Sequence, residues 1–242
     1  MEHDAAPTSS RKGDIKADAA LVRLVLNNDV QRLRERLLSQ RSLANAHSDG
    51  YSLLMLACMQ PNCSPELVRQ LLGAGADPNA QRKVSGETPL SLAARAGNLE
   101  VLKVLLAVPG IKPDAQGPTG ASALVHAASE GHASCVSALL AAGCNPNAAS
   151  EAGDTALMHA ASRGHRMCVE VLAAVPGINP NAANRGNETA LMHAAASGSL
   201  ATVHAVLAIP GVQTRVVSHT GFTALREAKD YDTAAALLRW VV

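Results

Sequence analysis

The sequence predicts an all-α repeat solenoid, a row of short helix–turn–helix units joined by hairpin loops. Three observations carry this reading. A self-similar block recurs at steps of 36, 34, 33, 34 and 34 residues, with starts at Ser52, Thr88, Ser122, Thr155, Thr189 and Thr223. A fixed period of this size is the mark of stacked supersecondary units. Every full block also carries the same pattern of caps, apolar stripe and glycines. Finally, only Tyr51, Phe222, Tyr231 and Trp240 are aromatic, although 48% of the 242 residues are hydrophobic. The core must be built from Ala, Val and Leu, which suits stacked small helices better than a sandwich or barrel.

The block is read most clearly at Thr155 to Ala161, Thr-Ala-Leu-Met-His-Ala-Ala, which begins again at Thr189. A hydroxyl residue opens the first helix, where its oxygen can take a free backbone N–H. Pro89 stands one residue inside such a start, where a missing N–H costs nothing. An alanine pair follows in four blocks (Ala93 and Ala94, Ala127 and Ala128, Ala160 and Ala161, Ala194 and Ala195), small enough for helices to approach closely. Gly97, Gly131, Gly164 and Gly198 end the first helix. The second helix has apolar residues at i, i+3, i+4, such as Val136, Leu139 and Leu140. Gly75, Gly110, Gly143, Gly177 and Gly211 close it, and a run rich in Asp, Asn and Pro leads to the next block.

Taken in order, residues 1–14 are polar, lack an apolar run and read as a disordered tail rather than a signal peptide. Residues 15–48 read as a degenerate amino-terminal capping repeat, with helices expected over 17–26 and 30–39. Arg32, Arg34, Glu35 and Arg36 would give it the charged outer face that an end repeat needs; a basic patch for an acidic partner is the alternative. Five full repeats are expected at 49–82, 83–116, 117–149, 150–183 and 184–217. Residues 218–242 form a shortened closing cap, with Lys229, Asp230, Asp232 and Arg239 facing water. The final Trp240, Val241 and Val242 either pack on the last helix or serve as a recognition tail.

These residues resemble the ankyrin repeat. Its signature stands as Thr-Pro-Leu-Ser-Leu-Ala-Ala from Thr88 to Ala94, and its closing motif as Gly-Ala-Asp-Pro-Asn-Ala from Gly75 to Ala80. The likeness runs over about residues 15–242. There are departures. Val125, Met158 and Met192 hold the place of the signature histidine, with a histidine one residue later. Pro61 to Pro65 is an insertion in the first full unit, and Pro109, Pro176 and Pro210 are additional. None disturbs the period.

Enzymatic chemistry finds no support here, and no cofactor or metal is expected. P-loop, His-Glu-x-x-His and Gly-x-Ser-x-Gly patterns are absent. His126, His159 and His193 share one slot in three consecutive repeats. Packed helices lie about 8–10 Å apart, however, and zinc needs nitrogens at about 2.0–2.1 Å, so these read as repeated inner-helix side chains. Cys58, Cys135, Cys144 and Cys168 replace small core residues, while Cys63, in the insertion, is expected to be the one readily alkylated thiol. An odd count without a Cys-x-x-Cys pair fits a reducing compartment, the cytoplasm or nucleus. A net charge of +1 gives no general attraction to nucleic acid or to an anionic membrane. No stretch reaches 18 consecutive apolar residues.

The resemblance implies a protein-binding module whose concave face is made of hairpin tips and the exposed side of each first helix. Carried over position by position, that face includes Tyr51, Met59, Gln60, Glu87, Arg95, Glu130, Glu151, Asp154, Arg163, Arg185, Glu188 and Phe222. Tyr51, Met59 and Gln60 would form an apolar edge, while the middle tips are mostly acidic. A partner protein or peptide with basic and apolar side chains suits that surface, unless the charges only solubilise it. The chain is expected to be a monomer acting as adaptor, scaffold or inhibitor; targeting or regulation within a ligase, phosphatase or kinase complex is the alternative.

Overall fold

The computed structural model describes residues 15–240; the expected tail at 1–14, and Val241 and Val242, lie outside the described residues. Fourteen α-helices stand among the described residues, in seven consecutive pairs. The first pair is α1 (Ala19–Leu26) and α2 (Val30–Ser39), followed by a 3-10 turn (Arg41–Asn45) and a two-residue hairpin, β1 (His47–Ser48) with β2 (Tyr51–Ser52). Then come α3 (Leu53–Cys58) and α4 (Pro65–Gly73), α5 (Pro89–Ala96) and α6 (Leu99–Leu106), and α7 (Ala123–Ser129) and α8 (Ala133–Ala141). The stack continues with α9 (Ala156–Ser162) and α10 (Arg166–Ala173), then α11 (Ala190–Ser197) and α12 (Leu200–Leu207), and closes with α13 (Ala224–Glu227) and α14 (Tyr231–Leu238). First helices pack on first helices (α5 on α7, α9 on α11) and second helices on second helices (α10 on α12), so the core is a continuous ribbon between two rows.

Local chemistry fixes each unit. Ser52, Thr88, Ser122 and Thr155 accept the expected N-cap hydrogen bonds, and Thr88 with Ser91 forms a reciprocal capping box. Thr189 and Thr223 do not: they keep the extended backbone of a cap, but no side-chain cap bond is made. The alanine pairs are fully buried, as close helix packing requires. Gly97 ends α5 in the left-handed region (φ 70°), and the imidazole of His132 lies against it. A β-carbon on Gly97 would meet that ring at 2.5 Å, so glycine is needed for both conformation and space. Across this contact His132 Nε2 lies 3.1 Å from the Arg95 carbonyl oxygen. One repeat later, His165 Nε2 lies 3.0 Å from that of Ser129. Each histidine thus pins its repeat to the end of the preceding first helix.

The turn-rich linkers hold a second device. Asn45, Asn79, Asn147 and Asn181 each donate from Nδ2 to a glycine carbonyl of the next repeat (Gly75, Gly110, Gly177 and Gly211) at 2.7–2.9 Å. Each also accepts a backbone N–H two residues beyond that glycine. Asp114 occupies the matching place in the third linker; it accepts from Asn145 N at 3.2 Å but has no amide to donate.

Two expectations need correction. Cys63 is buried, at 4% exposure, as are the other four cysteines. The insertion folds back on itself and under the next repeat: Cys63 N donates to the Gln60 carbonyl, and Asn98 Nδ2 donates to that of Cys63 at 3.0 Å. Trp240 does not pack away on the last helix but is 51% exposed, since it follows the end of α14 and no further pair covers it among the described residues.

Candidate functional site

The face expected to meet a partner is that of the hairpin tips and first helices. Tips are tied in a backbone ladder: Glu151 N donates to Thr119 O (3.3 Å), Arg185 N to Ala152 O (2.8 Å) and His219 N to Gly186 O (2.8 Å). A hydrogen-bonded ladder of this kind holds side chains in fixed register, which lowers the ordering cost of any later contact.

At its centre a groove of about 450 Å³ is lined by Arg95, His126, Glu130, Asp154, His159 and Arg163, with Ala121, Val125 and Ala152 supplying apolar wall. Four of the twelve expected site residues therefore meet in one place, from three consecutive repeats. Arg163 pairs with Glu130 at 3.5 Å. Arg95 turns instead to Glu87, at 2.6 Å, where Arg82 (3.7 Å) and the Ser85 hydroxyl (2.8 Å) also converge. The Glu87 side chain is only 11% exposed, so its charge is neutralised within the protein rather than offered to a partner.

Asp154 and Glu188 are held without a cation. Asn184 Nδ2 donates to Asp154 Oδ1 at 2.9 Å and to Glu188 Oε2 at 3.0 Å, and its Oδ1 accepts the backbone N–H groups of Gly186 and Glu188. Two carboxylates from neighbouring tips are thereby fixed through one amide, leaving the acidic charge of the central tips in place. Glu151 beside them is exposed. His193 Nε2 lies 3.8 Å from Glu188 Oε2. Burial holds the imidazoles of His126 and His159 below their usual pKa; Arg95 adds to this for His126, while Asp154 opposes it for His159.

Of the remaining expected residues, Tyr51, Met59, Gln60 and Phe222 sit toward the ends of the face, and Arg185 stands on a central tip. The Tyr51 ring lies under the Arg82 guanidinium, 4.2 Å from its centroid, and Phe222 lies likewise under Arg226. Met59 is exposed, but Gln60 Nε2 is engaged by the carbonyls of Val25 and Leu56, both at 3.3 Å. The apolar edge expected from Tyr51, Met59 and Gln60 is therefore partly covered by charge, while Arg185 reaches solvent from its tip. Asn184, Arg82, His126 and His159 were not expected as site residues. The histidines carried a signal, one slot repeated three times on the first helix. Arg82 and Asn184 carried none, because their roles depend on contacts made across repeats.

Among the described residues no group of three or more His, Cys, Asp and Glu side chains is placed to hold a metal ion. No helix among them is long and apolar enough to cross a membrane.

Comparison with known proteins agrees with the geometry. The chain is similar to the ankyrin repeat domain of human ASB11 (TM-score 0.81, 25% identity, covering 92% of this chain and 97% of that one). It is similar also to that of Bcl-3 (TM-score 0.74, 26% identity, covering 93% and 99%). Partial matches link it to the E3 ubiquitin-protein ligase KEG of Arabidopsis thaliana, 39% identical over 94 residues, and to SH3 and multiple ankyrin repeat domains protein 1 of Homo sapiens, 36% identical over 104. These cover 38% and 43% of this chain and only 6% and 5% of the relatives, so the chain spans a small part of either. The family profile describing "Ankyrin repeats (3 copies)" matches residues 16–116, 54–150, 90–184 and 124–216. With matches running from residue 16 to 216, the chain belongs to the ankyrin-repeat family.

Proposed function

We propose that this chain binds a segment of a partner protein along its central groove, as an adaptor, scaffold or inhibitor, without chemistry of its own. Ankyrin repeat domains generally mediate protein–protein interaction. The observation that carries the finer reading is Asp154, which lines the groove beside its apolar wall and is tied to Glu188 of the next tip through one Asn184 amide at 2.9 and 3.0 Å. Carboxylates held this way pay little further ordering cost on meeting a cation. The favoured partner is thus an extended or helical segment with Lys or Arg side chains interleaved with apolar ones. Glu130 and Arg163 line the groove, Glu151 and Arg185 stand exposed on nearby tips, and Tyr51, Met59 and Phe222 lie toward the ends of the stack, where a longer partner segment would reach them. Five unpaired, buried thiols support a reducing compartment, the cytoplasm or nucleus.

A second reading, targeting or regulation within an enzyme complex, draws support from the match to an E3 ubiquitin-protein ligase. Affinity capture with mass spectrometry tests both. The control is the variant Asp154→Asn with Glu188→Gln, which removes both charges but keeps oxygens able to accept from Asn184. Partners lost in this variant and retained by the wild type support the groove; unchanged capture sinks the acidic-groove reading. Recovery of ligase, phosphatase or kinase subunits favours the second reading.

A further inference from the structure

The two ends of the stack differ. The exposed residues of α2 are mostly polar, Gln31, Arg32, Arg34, Glu35 and Arg36 among them, with Leu38 (67% exposed) the one large apolar side chain. This is how a terminal repeat protects itself from stacking. The last pair exposes more apolar surface. Aligned on their N-caps, Ser199 and Asp230, helices α12 and α14 correspond residue for residue; Thr202 and Thr233 both donate a backbone N–H to the cap. Leu207 and Ile209 of the α12 unit are 1% and 3% exposed, whereas their equivalents, Leu238 and Trp240, are 53% and 51% exposed. Tyr231 is 84% exposed. On α14, Tyr231, Ala234, Ala235 and Leu238 fall at i, i+3, i+4 and i+7, one apolar stripe on a single face. The closing unit is therefore shaped like an interior repeat whose neighbour is missing among the described residues.

We infer that this end face is a self-association surface, and that a second copy of the chain covers it with its own α14, antiparallel and related by a two-fold axis. Three features select this occupant. Asp232, in the first turn of α14, and Arg239, at its end, are exposed, flank the stripe on one side and make no ion pair with each other. Residues on one flank face their own kind across an antiparallel two-fold, so each Asp232 meets the Arg239 of the second copy, twice per interface. Ala234 and Ala235 sit at the middle of the stripe, where two helices cross most closely, with the larger Tyr231 and Leu238 at its ends. The α2 face sets Arg32, Arg34 and Arg36 around its single exposed Leu38, a poorer seat for an apolar stripe than a second α14, which disfavours head-to-tail stacking. This departs from the monomer expected from the sequence.

The interface is small. Eight residues of α14 span about 12 Å, less than a face burying about 800 Å² per partner supplies, so a weak dimer with a Kd of about 10–100 µM follows. Sedimentation equilibrium of the full chain from about 5 to 500 µM spans that range and should show the mass rising from one copy to two. The pair Tyr231→Glu with Leu238→Glu should remain monomeric throughout. Asp232→Arg or Arg239→Asp alone should weaken dimerisation about tenfold, and the two together should restore it to within about threefold. Circular dichroism melts check that each variant folds, and the double reversal keeps the test decisive if one single variant does not. A wild type that stays monomeric, a double reversal no better than the singles, or a mass growing past two copies would each overturn the proposal.

Discussion

Asn147 reaches into the following repeat and closes a two-bond ring with it. Its Nδ2 lies 2.8 Å from the Gly177 carbonyl oxygen, and its Oδ1 takes the N–H of Asn179 at 2.8 Å. The same ring is made by Asn45, Asn79 and Asn181 and is half-made at Asp114. Asn147→Ala should therefore destabilise the stack by about 1–2 kcal/mol, and Asp114→Asn should stabilise it by about 0.5–1.5 kcal/mol. Urea unfolding of both variants measures this, and a destabilising Asp114→Asn would show that the aspartate does something an amide cannot.

Burial, rather than hydrophobicity, decides what a leucine contributes. Leu139 of α8 is fully buried between neighbouring second helices, so Leu139→Ala should cost about 2–5 kcal/mol. Leu238 is the same residue type with half its surface in water. Leu238→Ala should cost under about 1 kcal/mol at concentrations where the chain is monomeric. Denaturant midpoints measured side by side separate the two.

The carboxylates of Asp154 and Glu188 cannot be reversed without structural cost. Each accepts from Asn184, so Asp154→Lys replaces an acceptor by a cation facing that amide. A loss of about 1–3 kcal/mol is expected, more than the roughly 0.5 kcal/mol of a free surface charge. Asp154→Asn should stay within about 0.5 kcal/mol of wild type. Thermal melts of the two variants decide whether Asn184 is a structural partner of the groove or only its neighbour.

All five thiols should be slow to react in the folded protein. Burial pushes Cys63 and Cys168 up to about 11 and Cys144, beside the Asp114 carboxylate, up to about 12. Only the thiolate reacts, and little of it exists at neutral pH. Ellman's reagent at pH 7.5 should label all five rapidly in denaturant and none at a comparable rate without it. A single fast thiol in the native protein would mean that the Pro61–Pro65 insertion opens.

Stability should also depend on pH through the groove. Folding holds His126 and His159 below the unfolded value of 6.5, chiefly by burying them. Their neutral forms are favoured in the native state, so below pH 6.5 the unfolded chain binds more protons. Their contribution is fully present above about pH 6.5 and is lost as pH falls toward the depressed folded values. The melting temperature should drop between pH 7 and pH 5, and less steeply when His126 and His159 are both changed to Gln. An equal slope in that variant would assign the drop to the carboxylates.

How much of this could be read beforehand depends on the range of the interaction. The period, the helix pairs, the caps at Ser52, Thr88, Ser122 and Thr155, and the buried alanine pairs are local or repeated features. The sequence determined them because each turn of helix and each glycine is dictated by residues within a few positions, and the same solution recurs five times. Cys63, Asn184, Arg82 and Trp240 obey no such rule. Whether Cys63 is covered depends on Asn98, 35 residues on; whether Asp154 is free depends on Asn184, 30 residues on. Glu87 looked like a surface charge and is enclosed by two arginines. The sequence by itself determined the fold and the row of tip and first-helix positions on which the proposed binding face rests. Only the tertiary structure decided which charges on that row are already satisfied and which end of the stack exposes more apolar surface. Stacking sets residues one repeat apart side by side, and the satisfaction of a charge or an apolar surface is a property of what stands next to it in space.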